Sequence, residues 1–270
     1  MLTIPLHSRD CSYLYPVDRR IRALAVSLLL GVAILGATSG TPISVSAQEL
    51  PTALPEEVGM SSSRLDRLTG ALQKYVHTDR IPGAVAMVLR DGRVVYHEAV
   101  GKLDIEADVP MGQDVIFRIA SQTKALVSVA IMMLQEDGDL LISDPVSKYI
   151  PSLTATTVAE ASDDGYQIVA ARRLITVRDL LTHTAGIGYG WDPGGDAWHK
   201  AGITGWYFAH RNEPMIETVN RMATLPFQAQ PGERFVYGYS TDILGAVVEV
   251  ISGTNLDEFL KNRIFEPLGM

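Results

Sequence analysis

The chain has 270 residues, of which 47% are hydrophobic and 20% charged, and its formal net charge is −8. A composition of this kind excludes a disordered tail, a collagen-like fibre and a multi-span membrane protein. The acidic balance makes nucleic acid a poor partner, and the single cysteine, Cys11, leaves no intramolecular disulfide and no cysteine-based metal site.

At the N-terminus, Arg19, Arg20 and Arg22 stand directly before an apolar run from Ala23 to Ala37. That run falls short of the roughly 20 residues a spanning helix needs. Val45-Ser46-Ala47 then supplies the small-x-small pattern of a signal-peptidase site. The pattern predicts a signal peptide over residues 1–47, cleavage near Ala47–Gln48, and a periplasmic or secreted protein without a stable membrane span. An uncleaved anchor is the alternative reading. Cys11 lies upstream of the apolar run, so the mature chain would carry no cysteine.

From residue 48 onward no repeat or long linker interrupts the chain. Ser61-Ser62-Ser63 is placed to cap a helix with Leu65, Leu68, Leu72 and Val76 at helical spacing. Two apolar runs, Ala84–Leu89 and Val94–Val100, flank Asp91-Gly92, which predicts a hairpin because both turn positions require positive φ. The first run is apolar on both faces, so helices are expected on both sides of its sheet. After Phe117–Ala120 the period changes to helical, with Ala125, Leu126, Val129, Ala130, Met133 and Leu134 as the expected apolar face and Asp137-Gly138 as the stop. From Asp144 the chain reads as helices and long loops. A capping box at Thr176–Asp179 opens a short helix ending by Gly186. A further helix runs from Ser240 to Gly253, and a last one opens at Thr254–Asp257 with Leu256, Phe259, Leu260 and Ile264 on one side. Two strands alone do not make a stable sheet, so the partner strands are either missing from this sequence or supplied from elsewhere.

The sharpest candidate for chemistry is Ser121-Gln-Thr-Lys124. The bare Ser-x-x-Lys pattern is weak on composition alone, but this serine falls at the first turn of an apolar helix, where free N–H groups and the dipole favour a developing oxyanion. The lysine follows on the same face one turn later. It could act as a base once deprotonated, or hold a second base ionised. The local pattern is equally that of a capping serine and a solvent-facing lysine. Tyr237 is a second candidate, or else a core or rim tyrosine. A lysine cation at 4 Å contributes about 4 kcal/mol at an effective dielectric of 20, roughly three pK units. That would bring a phenol near pH 7 to 8 within reach.

The six histidines lack metal-ligand spacing, and neither His-Glu-x-x-His nor Gly-x-Ser-x-Gly occurs. His183 reads as a buried, hydrogen-bonded residue at a helix end in preference to the alternative of a catalytic base. Tyr189, Trp191, Trp198, Trp206 and Tyr207 among glycines either wall an apolar substrate pocket or pack on one another.

Together Ser121-Gln-Thr-Lys124, Leu180–Gly186, Pro231–Tyr237 and Ile264–Met270 resemble, in order, motifs of the β-lactamase-related serine hydrolases. This group spans class C β-lactamases, DD-peptidases, D-aminopeptidases and family VIII esterases. The resemblance covers about Leu50 to Met270. It implies an α+β, β-lactamase/transpeptidase-like fold, in which an antiparallel sheet flanked by helices (its start at 48–140) joins a mainly helical part (141–270). It implies an acyl-enzyme on Ser121, with Lys124 and Tyr237 sharing proton transfer, and Tyr239 and Trp191 at the substrate. The oxyanion would lie between the Ser121 N–H and an N–H from a later edge strand. No cofactor and no metal are implied, since side chains and water suffice.

Two departures stand out. Tyr239 replaces the usual Asn of the Tyr-x-Asn element, which moves the expectation toward esters and away from β-lactams and peptides. The family's third element, Lys-Thr-Gly or a variant, follows the Pro-Leu-Gly segment and is not in this sequence, so a truncated member missing C-terminal strands is expected. The resulting expectation is an exported serine hydrolase, foremost an esterase, acting on a small-molecule ester, lactam or peptide. A β-lactamase, a DD-peptidase or D-aminopeptidase, and a non-catalytic cell-wall-binding relative are the alternatives. Oligomeric state has no signature in the sequence.

Overall fold

The computed structural model describes residues 50–191 and 193–270. The expected signal peptide and Cys11 lie outside the described residues. Among the described residues no helix is long and apolar enough to cross a membrane.

A short 3-10 turn, Pro55–Val58, precedes helix α1 (Ser62–His77). Ser61 occupies the N-cap without a side-chain bond. The cap comes instead from Glu56, whose carboxylate accepts from the Ser62 N–H at 2.9 Å and the Ser62 hydroxyl at 2.8 Å. Strands β1 (Gly83–Arg90) and β2 (Arg93–Asp104) form the expected hairpin. Asp91 and Gly92 both have positive φ, as the tight turn requires. Strand β3 (Val109–Pro110) pairs with β2 and completes a three-stranded sheet in the order β1-β2-β3. Helix α1 covers one face, where Val58, Leu65, Val95 and Tyr96 bury and Thr69 hydrogen-bonds the Tyr96 hydroxyl. On β1, Met87 and Leu89 remain exposed, so among the described residues the expected helical cover is found on one side only.

Helix α2 (Thr123–Glu136) buries Val127, Ala130, Ile131 and Leu134. This stripe is rotated from the one expected: Val129 and Ala125 face outward. The helix is apolar almost all round, so periodicity alone leaves its inward face undetermined. Gly138 takes positive φ just past the helix, and the Asp139 N–H closes back on Leu134 O.

The stretch read as helices and loops holds a second small sheet. Strands β4 (Thr157–Ser162) and β5 (Gly165–Ala170) pair antiparallel, and β6 (Pro226–Phe227) joins β4 in parallel. Asp163-Asp164 form the turn between them, and Gly165, which opens β5, takes φ +120°.

Around it lie α3 (Val177–Leu181), α4 (Gly195–Lys200), α5 (Met215–Met222), α6 (Ser240–Ser252) and α7 (Leu256–Leu260). A π-helical turn, Lys261–Phe265, links α7 to the closing α8 (Glu266–Leu268). The capping box of α3 forms as expected: Thr176 Oγ1 accepts from the Asp179 N–H, and Asp179 Oδ2 accepts from the Thr176 N–H. Arg173 adds two bonds to the same carboxylate, at 2.6 and 2.9 Å. Helices α2, α3, α5 and α7 all pack on α6. Ile243, Leu244, Ala246, Val247 and Val248 of α6 are fully buried in one continuous core, which makes α6 the axis on which the pocket is built.

Candidate active site

Ser121 lies in the 3-10 turn Ala120–Gln122, which runs directly into α2. Ala120 before it has φ +47°. A left-handed alanine is strained, and such strain persists only where the surroundings impose it. Lys124 follows one turn later, half-buried, on the same side of α2.

Tyr237 arrives from a different part of the chain. Residues 183–188 and 228–238 run alongside each other, tied by Gln228 N to Gly186 O, Gly232 N to Thr184 O and Val236 N to His183 O at 2.7–2.8 Å. Two glycines permit this approach. Gly186 has φ +81°, and a Cβ there would sit 2.0 Å from Ala229 O. A Cβ on Gly238 would meet Ile187 O at 2.3 Å. Tyr237 is thereby delivered to Lys124, whose Nζ lies 4.9 Å from the centre of its ring.

The electrostatics of the cluster are uneven. Hydrogen bonding from Ser121 chiefly draws the Tyr237 phenol below the usual tyrosine value; burial opposes this, and the Lys124 ammonium adds to it. Burial works to lower the pKa of Lys124, but its contacts with Tyr237 and Tyr189 outweigh that and leave it above the ordinary lysine value. Burial lifts the Tyr189 phenol, against the pull of Lys124. His183 packs its ring 4.9 Å from that of Tyr237. Burial and the nearby Lys124 charge lower its pKa. Its φ is +55° and its buried Nδ1 has no hydrogen-bond partner among the described residues, so the histidine expected to be buried and hydrogen-bonded is half-buried and unpaired at that atom. The set therefore combines a lysine and a Tyr189 both held more firmly protonated, a histidine whose protonation is disfavoured, and one phenol eased toward ionisation.

These groups open onto a cavity of about 730 Å³ lined by Ser121, Lys124, Tyr237, Tyr239, Trp191 and Asp242 together with further aromatic and aliphatic side chains. The tryptophans divide. Trp191 and Trp206 wall the cavity and stay about 60% exposed. Trp198 is core, with its indole N–H on Pro226 O at 2.8 Å. Tyr239 touches the cavity but is 1% exposed, stacked on Trp198, and its hydroxyl donates to Gly205 O at 3.0 Å. It meets the cavity with its ring while its polar end is spent on the scaffold.

All five residues singled out from the sequence therefore border one cavity. Asp242 also borders it, a residue that no sequence pattern singles out. Its signal is faint: an acid in the first turn of an otherwise apolar helix, five residues after Tyr237. Burial lifts its carboxyl to about 6, against the nearby Lys124 charge. No cluster of three or more His, Cys, Asp or Glu able to hold a metal occurs among the described residues.

Residues 68–270 match the family model described as beta-lactamase. Esterase EstB of Burkholderia gladioli is 33% identical over 222 residues, which cover 82% of this chain and 53% of that protein. Among solved structures, EstCE1, a hydrolase with promiscuous acyltransferase activity, is 28% identical with a TM-score of 0.62, over 77% of this chain and 52% of its own. Simvastatin synthase (LovD) from Aspergillus terreus is 29% identical with a TM-score of 0.63, over 78% of this chain and 52% of its own. The chain thus spans about half the length of the relatives it matches.

Proposed function

The chain belongs to the beta-lactamase family, and from that premise we propose that it is a serine hydrolase working through an acyl-enzyme on Ser121, with esters as its substrates. The observation that carries this reading is the convergence of Ser121, Lys124 and Tyr237, from two distant stretches of chain, on one aromatic cavity. Tyr237 is the base. The Ser121 Oγ attacks the ester carbonyl while its proton passes to the Tyr237 oxygen, and the adjacent ammonium stabilises the phenolate before transfer. The alkoxide then leaves with that proton. Water repeats the sequence in reverse roles to free the acid and Ser121; an acceptor alcohol in place of water gives acyl transfer. The directions of the pKa shifts support Tyr237 over Lys124 as the base, since Lys124 is held charged.

Esters are favoured over lactams and peptides for two reasons. Tyr239 stands where an amide-recognising Asn is expected, and its hydroxyl is engaged with Gly205 O. The relatives compared here include a named esterase and a hydrolase with acyltransferase activity. Trp191, Trp206 and Tyr189, with Tyr189 edge-on to Trp191, form an aromatic wall suited to a bulky apolar acyl or alcohol group. We also propose export, on the strength of Arg19–Arg22, the apolar run to Ala37 and Val45-Ser46-Ala47. N-terminal sequencing of the protein recovered from cells tests export; an intact Met1 defeats it.

Intact-mass analysis after a fluorophosphonate probe tests the chemistry. One adduct is expected on the full chain, absent from Ser121→Ala. An adduct that survives this substitution places the nucleophile elsewhere.

A further inference from the structure

Asp242 is the single acid among the described residues that line the cavity. It lies in the first turn of α6, the most deeply packed helix, and so is held on rigid backbone. The groups around it come from every neighbouring element. Helix α2 presents Lys124; the chain after α3 presents Tyr189; the segment leading into α6 presents Tyr237 and Tyr239. From α5 and α7 come only apolar groups at this level, Met215 and Leu256, which meet beside Gly245. Arg118 stands at the rim with its guanidinium 5.8 Å from the Trp206 ring centre. His183 lies near Lys124, whose charge together with burial disfavours protonation of its imidazole.

Lys124 is thus a half-buried ammonium among aromatic rings, a setting that opposes the charge unless something nearby repays the lost hydration. The rings give part of this through their faces. We propose that Asp242 is a positioning residue for the reaction: from the wall of the same cavity, beyond ion-pair distance, its carboxylate adds to the field that keeps the Lys124 ammonium charged beside Tyr237. This rests on the reading of Ser121, Lys124 and Tyr237 as the acyl-transfer site. The carboxylate carries a second consequence. It also opposes the Tyr237 phenolate, so it sets where along the pH axis the base becomes available. The downward pull on Asp242 from the Lys124 charge agrees with this longer-range coupling, although burial dominates and leaves its carboxyl near 6.

The test compares the full-length wild type with Asp242→Asn, Asp242→Glu and Tyr237→Phe, each checked for folding by thermal melting. Phenolate formation is followed by ultraviolet absorbance against pH, and subtraction of Tyr237→Phe isolates the Tyr237 step. In parallel, the rate of fluorophosphonate labelling is measured across pH. In Asp242→Asn the Tyr237 step moves down by about half to one pH unit, because a like charge is removed. Both limbs of the labelling profile move the same way, and the maximal rate falls about tenfold. Asp242→Glu, which keeps the charge, returns the phenolate step toward wild type. A folded Asp242→Asn whose phenolate step stays where the wild type has it overturns the proposal, whatever its labelling rate. A lowered rate with unmoved limbs also overturns it, since a purely structural residue would behave that way. If the wild type never labels yet the phenolate step moves, the coupling stands and the acyl-transfer reading fails.

Discussion

Residues from α2 to the C-terminus bury a continuous core in which Ile131, Ile150, Leu180, Phe227 and Ile243 are fully enclosed. Residues 50–110, by contrast, gather a small cluster around Val58, Leu65, Val95 and Tyr96 beneath one helix. Between the two runs residues 111–120, where Ile116 is 99% exposed and Phe117 and Ile119 are also open. The proposed site straddles this contrast. Lys124, His183, Tyr237 and Asp242 all hang from elements of the dense region. Ser121 sits at its edge, directly after the exposed stretch and the strained Ala120. The base side is therefore fixed by packing, and the serine side is fixed by one turn of backbone entering α2. Rigid support is what allows charged and polar groups to hold catalytic geometry.

Breaking the chemistry without touching the packing should give the largest effect. Ser121→Ala is expected to remove covalent labelling and lower ester turnover by at least about 10³-fold, and Tyr237→Phe by about 10²–10⁴-fold. Ser121 is exposed and Tyr237 lies at the cavity edge, so melting temperatures should stay within about 2 °C of wild type. A variant that loses activity and also melts early would show that the site and the core are not separable as described.

The same substitution placed in each region sharpens the contrast in packing. Leu180→Ala opens a void among fully buried neighbours and should cost about 3–4 kcal/mol in urea denaturation. Leu65→Ala, under the thin sheet, should cost about 1–2 kcal/mol, because that cluster borders solvent and can close around the gap. Equal losses would mean that the sheet region is as tightly held as the helical one.

Asp242 offers an opposite sign within the dense region. Its carboxyl is raised to about 6 in the fold, against an ordinary value near 3.9. The folded protein therefore binds this proton more tightly than the unfolded chain. The associated stability is fully present below about pH 4 and is lost as pH rises through 6. Asp242→Asn removes the ionisation penalty. It should make the protein more stable by about 2 kcal/mol at pH 8, with the difference fading below pH 4. Melting curves of the two proteins at both pH values check this. A residue whose loss stabilises the fold while impairing labelling is kept for its chemistry.

Much of this was legible in the sequence, for reasons that differ by element. The hairpin of β1 and β2 was readable because Asp91-Gly92 demands positive φ at both positions. The capping box of α3 was readable because Thr176 and Asp179 satisfy each other locally. Ser121, Lys124, Tyr237, Tyr239 and Trp191 were each singled out, but only the fold brings residues 121 and 237 together. The buried stripe of α2 was misplaced because an all-round apolar helix has no period to read. Strands β4 and β5 were missed because Thr157–Ser162 alternates weakly, although the two pair locally across Asp163-Asp164; only the addition of β6 depends on residues far along the chain. Asp242 was missed because an acid in a first turn looks like a dipole partner until the lysine opposite it is in view.

The smallest effect tests the stretch between the two regions. Ile116 is 99% exposed, so its side chain loses almost no contact with water in this fold. Ile116→Ser should change stability by less than about 0.5 kcal/mol. Phe117 and Ile119 are partly covered, and Ile119 lines the cavity just before the Ala120–Gln122 turn. Ile119→Ser should then leave melting nearly unchanged but slow fluorophosphonate labelling severalfold, since Ser121 depends on that turn for its direction. Labelling that is indifferent to Ile119 would mean that α2 alone orients the serine. A loss from Ile116→Ser as large as that from Leu180→Ala would mean that the exposed stretch is covered in solution, and the contrast between the regions would no longer hold.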